Sequence, residues 1–201
     1  MQSLIKRTCF LFLLLPALIL SCRKDHIIHD IPSDNKKKFI LAGERGVDIS
    51  YYDINPDWNR YAYGLAPDSL NIDINNDHIT DVSIRYASTI GASNYIVQTT
   101  VSCYHGASFS LAPKNRNDTI NENSSWSTSN SILGFTKIDF TTADTTSSGA
   151  WISTTDKYLG VKVFKNGRTS YGWIRMSLFV NPATIYIQQV MVKDFAFRKN
   201  L

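Results

Sequence analysis

From residue 39 onward this chain is governed by period-two alternation. The segment "SLNIDINNDHITDVSIRY" at 69–86 sets Leu70, Ile72 and Ile74 on one side and Asn71, Asp73 and Asn75 on the other. Val82, Ile84 and Tyr86 then resume the apolar parity. Successive side chains of a strand point to opposite faces, so this pattern predicts half-buried β-strands. Comparable runs lie at 39–42, 46–53, 69–75, 81–87, 94–103, 107–112, 132–141, 158–165, 168–180 and 184–197. No segment after residue 22 shows a long helical period. Asn, Ser, Thr, Ile, Tyr and Phe are plentiful there while Glu, Ala and Leu are sparse, which favours strands and polar turns. The expected fold is all-β: one antiparallel β-sandwich, jelly-roll-like, over residues 39–201.

Finer marks follow from the same pattern. Ile96, Thr100 and Cys103 do not keep one parity, so a bulge or a sheet edge is expected near them. "KNGR" at 165–168 predicts a hairpin, because Asn166-Gly167 suits a two-residue turn with positive φ. The Asn-, Ser- and Thr-rich stretches 113–131 and 142–157 read as loops on one rim, which can carry binding function.

Ahead of the strands stands "MQSLIKRTCFLFLLLPALILSC". Lys6 and Arg7 precede an apolar run from Phe10 to Leu20 that is too short to span a bilayer comfortably, the arrangement of a signal peptide over 1–21. Leu18-Ile19-Leu20-Ser21-Cys22 resembles the lipobox of bacterial lipoproteins, in which the final Cys is diacylated and becomes the mature N-terminus. The resemblance implies lipidation at Cys22. It also implies attachment to the cell envelope, most consistently the outer membrane of a Gram-negative bacterium. Two acyl chains hold a protein on a membrane where one does so only marginally. Residues 22–38, with Pro32 and the lysines 36–38, then form a flexible tether. His26 and His29 in this tether have no supporting acids on an ordered element and are not read as metal ligands.

Removing residues 1–21 lowers the formal charge from +4 to +2, because Lys6 and Arg7 leave, so the charge makes no case for nucleic acid. Cys9 leaves as well and Cys22 is the lipid site, so Cys103 remains alone and no internal disulfide is available. Stability must come from apolar burial, helped by any bound cation.

Asp73, Asn75, Asp77 and Asp81 place oxygens at intervals from which a hard cation could be ligated, with the backbone carbonyl of Ile79 as a fifth donor. The stretch resembles the short DxNxDGxxD calcium loops of secreted bacterial and extracellular proteins, which implies a structural calcium ion. It departs from them at His78, which stands where Gly makes the sharp turn. The other reading is a polar hairpin turn through Asn75-Asn76-Asp77-His78, which accounts for the turn residues but not for Asp73 and Asp81.

Gly160, Tyr171-Gly172-Trp173, Asp194 and Ala196-Phe197 resemble a C-terminal pattern of secreted and anchored bacterial proteins of unknown activity. That pattern implies a β-sandwich outside the cytoplasm, not a reaction. On the residues themselves, Ile174, Met176, Leu178 and Val180 form one face, and Gly172 permits a neighbouring element to come close. Tyr171 and Trp173 form the other face beside Arg175, either as a binding platform or as a second buried surface.

Tyr51, Tyr52, Trp58, Tyr61 and Tyr63 offer flat faces among Asp and Asn groups, a mixture that suits sugar rings or a packed strand pair. Asp68-Ser69-Leu70, Asp118-Thr119-Ile120 and Asp144-Thr145-Thr146 resemble O-glycosylation sites of some Gram-negative bacteria. There is no GxSxG, HExxH or phosphate-cradling glycine loop, and Cys103 with His105 lacks an identifiable orienting acid. The expectation is a non-catalytic surface lipoprotein, a ligand-binding or adhesion sandwich whose partner is a glycan or a protein. A carbohydrate-binding module is the first alternative and an extracytoplasmic hydrolase the second.

Overall fold

The computed structural model describes residues 37–61, 67–165, 167–180 and 188–199. The expected signal peptide, lipidation at Cys22 and the tether up to residue 36 lie outside the described residues, as do Tyr63 and Asn166. Thirteen strands follow in chain order: β1 (Phe39–Leu41), β2 (Ile49–Arg60), β3 (Asp68–Ile72), β4 (Val82–Ile90), β5 (Asn94–Cys103), β6 (Ala107–Ser110), β7 (Thr119–Asn121), β8 (Trp126–Ser127), β9 (Ser131–Asp139), β10 (Thr145–Ser148), β11 (Thr154–Lys165), β12 (Arg168–Val180) and β13 (Gln188–Arg198). Among the described residues there is no α-helix, and no helix long and apolar enough to cross a membrane.

Two antiparallel sheets face each other, as expected for a sandwich. One runs β10-β9-β5-β4-β3 and the other β2-β13-β12-β11-β6-β8. Their inner faces interdigitate through Ile72, Val82, Ile84, Tyr86, Tyr95, Val97, Val101 and Leu133 on one side. Phe109, Leu159, Val161, Ile174, Met176, Leu178, Val190 and Val192 answer from the other. The alternation at 81–86 and 94–101 thus does what the sequence pattern demands. A polar bridge also crosses between the sheets, where buried Gln188 donates to Thr99 Oγ1 (2.6 Å) and accepts from Thr136 Oγ1 (3.1 Å).

The larger sheet is buried on its outer face as well. β1 and β7 pair as a small ribbon, and Ile40, Ala42 and Ile120 from this region pack with Ile49, Tyr158, Tyr171, Trp173 and Ala196. With both faces covered, β12 is buried almost without a break from Ser170 to Leu178, its Ile174-Met176-Leu178 parity on one side and Tyr171-Trp173 on the other. Of the two readings of Tyr171 and Trp173, the second buried surface is the one observed: Trp173 meets Tyr158 edge-on, with centroids 5.3 Å apart. Arg175 does not stack on this indole; it pairs with Asp194.

Several boundaries differ from the sequence pattern. β5 is internal, between β4 and β9, so the edge expected near Ile96, Thr100 and Cys103 is not there. Burial alternates regularly from Asn94 to Ser102, and the irregularity is a register shift against β9 between Thr99 and Thr100. The run at 69–75 stops as a strand at Ile72, and 46–48 form a turn ahead of β2. The polar stretches contain β7, β8 and β10, each too short and too poor in apolar residues to alternate visibly.

Candidate functional site

The loop from β3 to β4 is fixed from beneath. Ile74 is fully buried, and a Cβ on Gly172 would lie 3.1 Å from its Cδ1 and 2.5 Å from the Ala196 carbonyl oxygen. Gly172 therefore admits Ile74 against β12, the close approach that the sequence leads one to expect at this position. Asp81 is only 1 % exposed, and its carboxylate accepts the Ile74 N–H at 3.0 Å. Burial pushes the Asp81 carboxyl up to about 6; the backbone amides of Ile74 and Asn75 pull it down, and repulsion from Asp77 and Asp73 raises it further.

Above this base the other carboxylates organise the loop backbone. Asp73 accepts from the N–H groups of Asp77 (3.0 Å) and His78 (2.6 Å), and Asp77 accepts from that of Ile79 (3.0 Å). Asn76 and His78 take left-handed backbone with φ of 59° and 67°, so His78 makes the sharp turn in place of Gly. Asp77 also pairs with Lys165, which holds its carboxyl below the usual aspartate range. Among the described residues no three His, Cys, Asp or Glu side chains are grouped so as to hold a metal ion. The five expected ligands thus share one loop, with their carboxylates turned to amides and to Lys165.

Lys165 joins this loop to the β11–β12 hairpin. The register pairs Lys165 with Arg168 and Val163 with Ser170, and Gly167 has φ of 73°, as the expected hairpin requires. Along both strands the face that is apolar in the core turns polar toward the hairpin. The result is an open groove of about 480 Å³ between loop and hairpin. Val163 and Phe197 give it apolar walls, and Asn75, Asp77, Lys165, Arg168 and Ser170 give it polar ones. Ser170 is 5 % exposed and its Oγ has no hydrogen-bond partner; neither has the buried Oδ1 of Asn75. Among the described residues Arg168 makes no ion pair, which leaves the groove with one positive charge in excess of the Asp77–Lys165 pair.

Sequence reasoning placed Asn75 and Asp77 in a site but missed Val163, Lys165, Arg168, Ser170 and Phe197. Alternation counted outward from "KNGR" does put Val163, Lys165, Arg168 and Ser170 on one face. What it does not reveal is that the 73–79 loop closes over that face.

The aromatics of 51–61 do not form a platform. Trp58 is buried in the core between the sheets, and Tyr52 stacks on Phe195 with centroids 4.9 Å apart. Tyr51 points to the opposite face, beside Trp173 and under the Arg45 guanidinium. Only Tyr61, 47 % exposed, is open to solvent. Opposite strand parities and the register shift of β2 against β13 between Asp53 and Trp58 scatter these rings.

Cys103 packs at the edge of the core, and burial, with a smaller contribution from Asp81, pushes its thiol up to about 12. That is the reverse of an activated nucleophile. His105 sits in the following turn with φ of 51°. Compared with protein-family models, with curated proteins and with solved structures, the chain matches none.

Proposed function

We propose that this chain is a lipid-anchored, extracytoplasmic β-sandwich that binds a ligand at its loop rim and carries out no reaction. The observation that carries the binding role is the groove between the 73–79 loop and the β11–β12 hairpin, where Ser170 Oγ and Asn75 Oδ1 are buried without partners. A buried polar atom left unsatisfied costs about 1–3 kcal/mol, a cost that a ligand's hydroxyl or amide groups would offset. The envelope location rests on the lipobox-like stretch ending at Cys22, fifteen residues ahead of the described body at Lys37.

The test has two arms. The full chain, made in a Gram-negative host fed labelled palmitate, is expected to carry the label in the envelope fraction, and Cys22→Ser is expected to lose it. An unlabelled precursor in the cytosol would sink the anchored reading. In the second arm the lipidated protein meets a panel of neutral glycans, acidic glycans and extracellular proteins, with Arg168→Glu as control. Binding that the substitution abolishes supports the rim; no binding to any of them sinks it.

A structural calcium ion at the acidic loop is a second reading, favoured by Asp81. Its carboxylate is nearly inaccessible and has no basic partner among the described residues. Asp73, Asp77, Asp81, Asn75 and the Ile79 carbonyl would hold the ion after Lys165 releases Asp77. The ion would supply charge neutralisation, at affinities of about 10⁻⁴–10⁻³ M typical of extracellular modules.

A further inference from the structure

We infer that the groove between the 73–79 loop and the β11–β12 hairpin takes an acidic saccharide, a ring that carries hydroxyl groups and one carboxylate. The inference rests on the binding role proposed above and assigns its ligand chemistry.

The polar atoms at the site ask for different things. Asn75 Oδ1 is an acceptor without a donor, so its partner must bring an O–H or N–H. Ser170 Oγ, buried and unpartnered, can donate and accept at once, which is what a vicinal hydroxyl offers in return. Neither atom is satisfied by an apolar ligand, and a bare anion, being chiefly an acceptor, would leave Asn75 Oδ1 orphaned.

The charge at the rim asks for an anion. Asp77 and Lys165 neutralise each other, and Arg168, exposed and without an ion pair among the described residues, stands across the hairpin register from Lys165. A guanidinium binds a carboxylate through two parallel hydrogen bonds, a geometry that Lys does not offer. The walls ask for an apolar face, since Val163 and Phe197 line the groove beneath the polar rim. A pyranose ring supplies C–H surface for them, hydroxyls for Asn75 and Ser170, and, when oxidised at its exocyclic carbon, a carboxylate for Arg168. A volume of about 480 Å³ accommodates one or two such rings.

The test uses the full lipidated chain in detergent micelles with chelator present, so that no loop cation takes part. Titration calorimetry with tetragalacturonate is expected to show saturable binding, at least tenfold tighter than with neutral maltotetraose. Arg168→Gln, at an exposed position, is expected to bring the acidic oligosaccharide down to the neutral one's affinity while the unfolding midpoint stays put. Inorganic phosphate is expected to compete only weakly. Equal binding of the two sugars, indifference to Arg168→Gln, or phosphate competing as well as the saccharide would each overturn the acidic-saccharide assignment and leave the binding role standing. The assignment also falls if no sugar binds; the binding role then falls only if the rest of the ligand panel fails too.

Discussion

Arg175 and Asp194 face each other across β12 and β13 as a bidentate pair, Nε to Oδ1 at 2.9 Å and Nη2 to Oδ2 at 2.6 Å. Asp194 is fully buried, and it also accepts from the Tyr51 hydroxyl at 2.8 Å and from Arg45 Nη2 at 3.2 Å. The Tyr51 phenol is pushed up to about 12, first by burial and then by the carboxylate it donates to. This cluster ties β2, β12 and β13 together where the register shifts. Asp194→Ala strands a half-buried Arg175 and is expected to cost about 3–5 kcal/mol. Urea unfolding measures it, and a loss below about 1 kcal/mol would make the pair peripheral.

Gly172→Ala places a methyl group 2.5 Å from the Ala196 carbonyl oxygen and 3.1 Å from both Ile74 and Phe197. Backbone cannot step aside as a side-chain tip can, so β12 and β13 must part locally. The expected loss is about 1–3 kcal/mol, the usual range for overpacking. Hydrogen exchange is expected to quicken in the 73–81 loop, which Ile74 anchors. Unchanged exchange there would show that the loop does not depend on this contact.

Asp81 gives a pH signature. Its carboxyl titrates at about 6 in the folded chain against an ordinary 3.8. Between those values the native state keeps a proton that the unfolded chain has released, so this group's contribution to stability falls as pH rises from about 4 to about 6 and is flat above. Asp81→Asn is expected to remove that slope. Urea midpoints of parent and variant at pH 4.5, 5.5 and 7.5 test it, and a difference that does not change with pH would refute the buried-carboxylate account.

If calcium occupies the acidic loop, the thermal midpoint of the full chain is higher in calcium than in magnesium or chelator, through mass action on the native state. Asp77→Ala is expected to abolish the response. Three identical midpoints would leave residues 73–81 as a turn closed by its own amides and Lys165.

Cys103 is expected to resist alkylation. With its thiol pushed up to about 12, the thiolate is scarce at pH 8 and the sulfur sits against the core. Iodoacetamide, followed by peptide mass mapping of Cys103, is expected to label this residue at least a hundredfold more slowly in the native protein than in the urea-unfolded chain. Comparable rates would reopen a nucleophilic role for this residue.

The strands were legible because alternation is a local record of burial. Leu70 to Tyr86 and the runs of β5, β11 and β12 could be placed from residue types alone, as could the hairpin at 165–168. Trp151 could not. It lies fully buried within a stretch that reads as a polar loop, and its indole N–H donates to the Leu111 carbonyl at 2.9 Å. Ile120 is similar, a lone apolar residue in a polar run that seals the outer face of the larger sheet. One buried side chain has no period, so only its distant neighbours reveal it.

For the site, sequence supplied the acids of the loop but not their partners. Lys165 lies 88 residues beyond Asp77 and Ser170 further still, and no local pattern links them.

The order of apolar and polar residues by itself determined that this chain forms antiparallel strands, because side-chain alternation is a local property. Which face of each sheet is covered, where the aromatic rings of 51–61 come to lie, and that loop and hairpin enclose a groove were decided by tertiary structure. Those outcomes depend on register between strands far apart in the chain, and register is fixed only when both partners are in place.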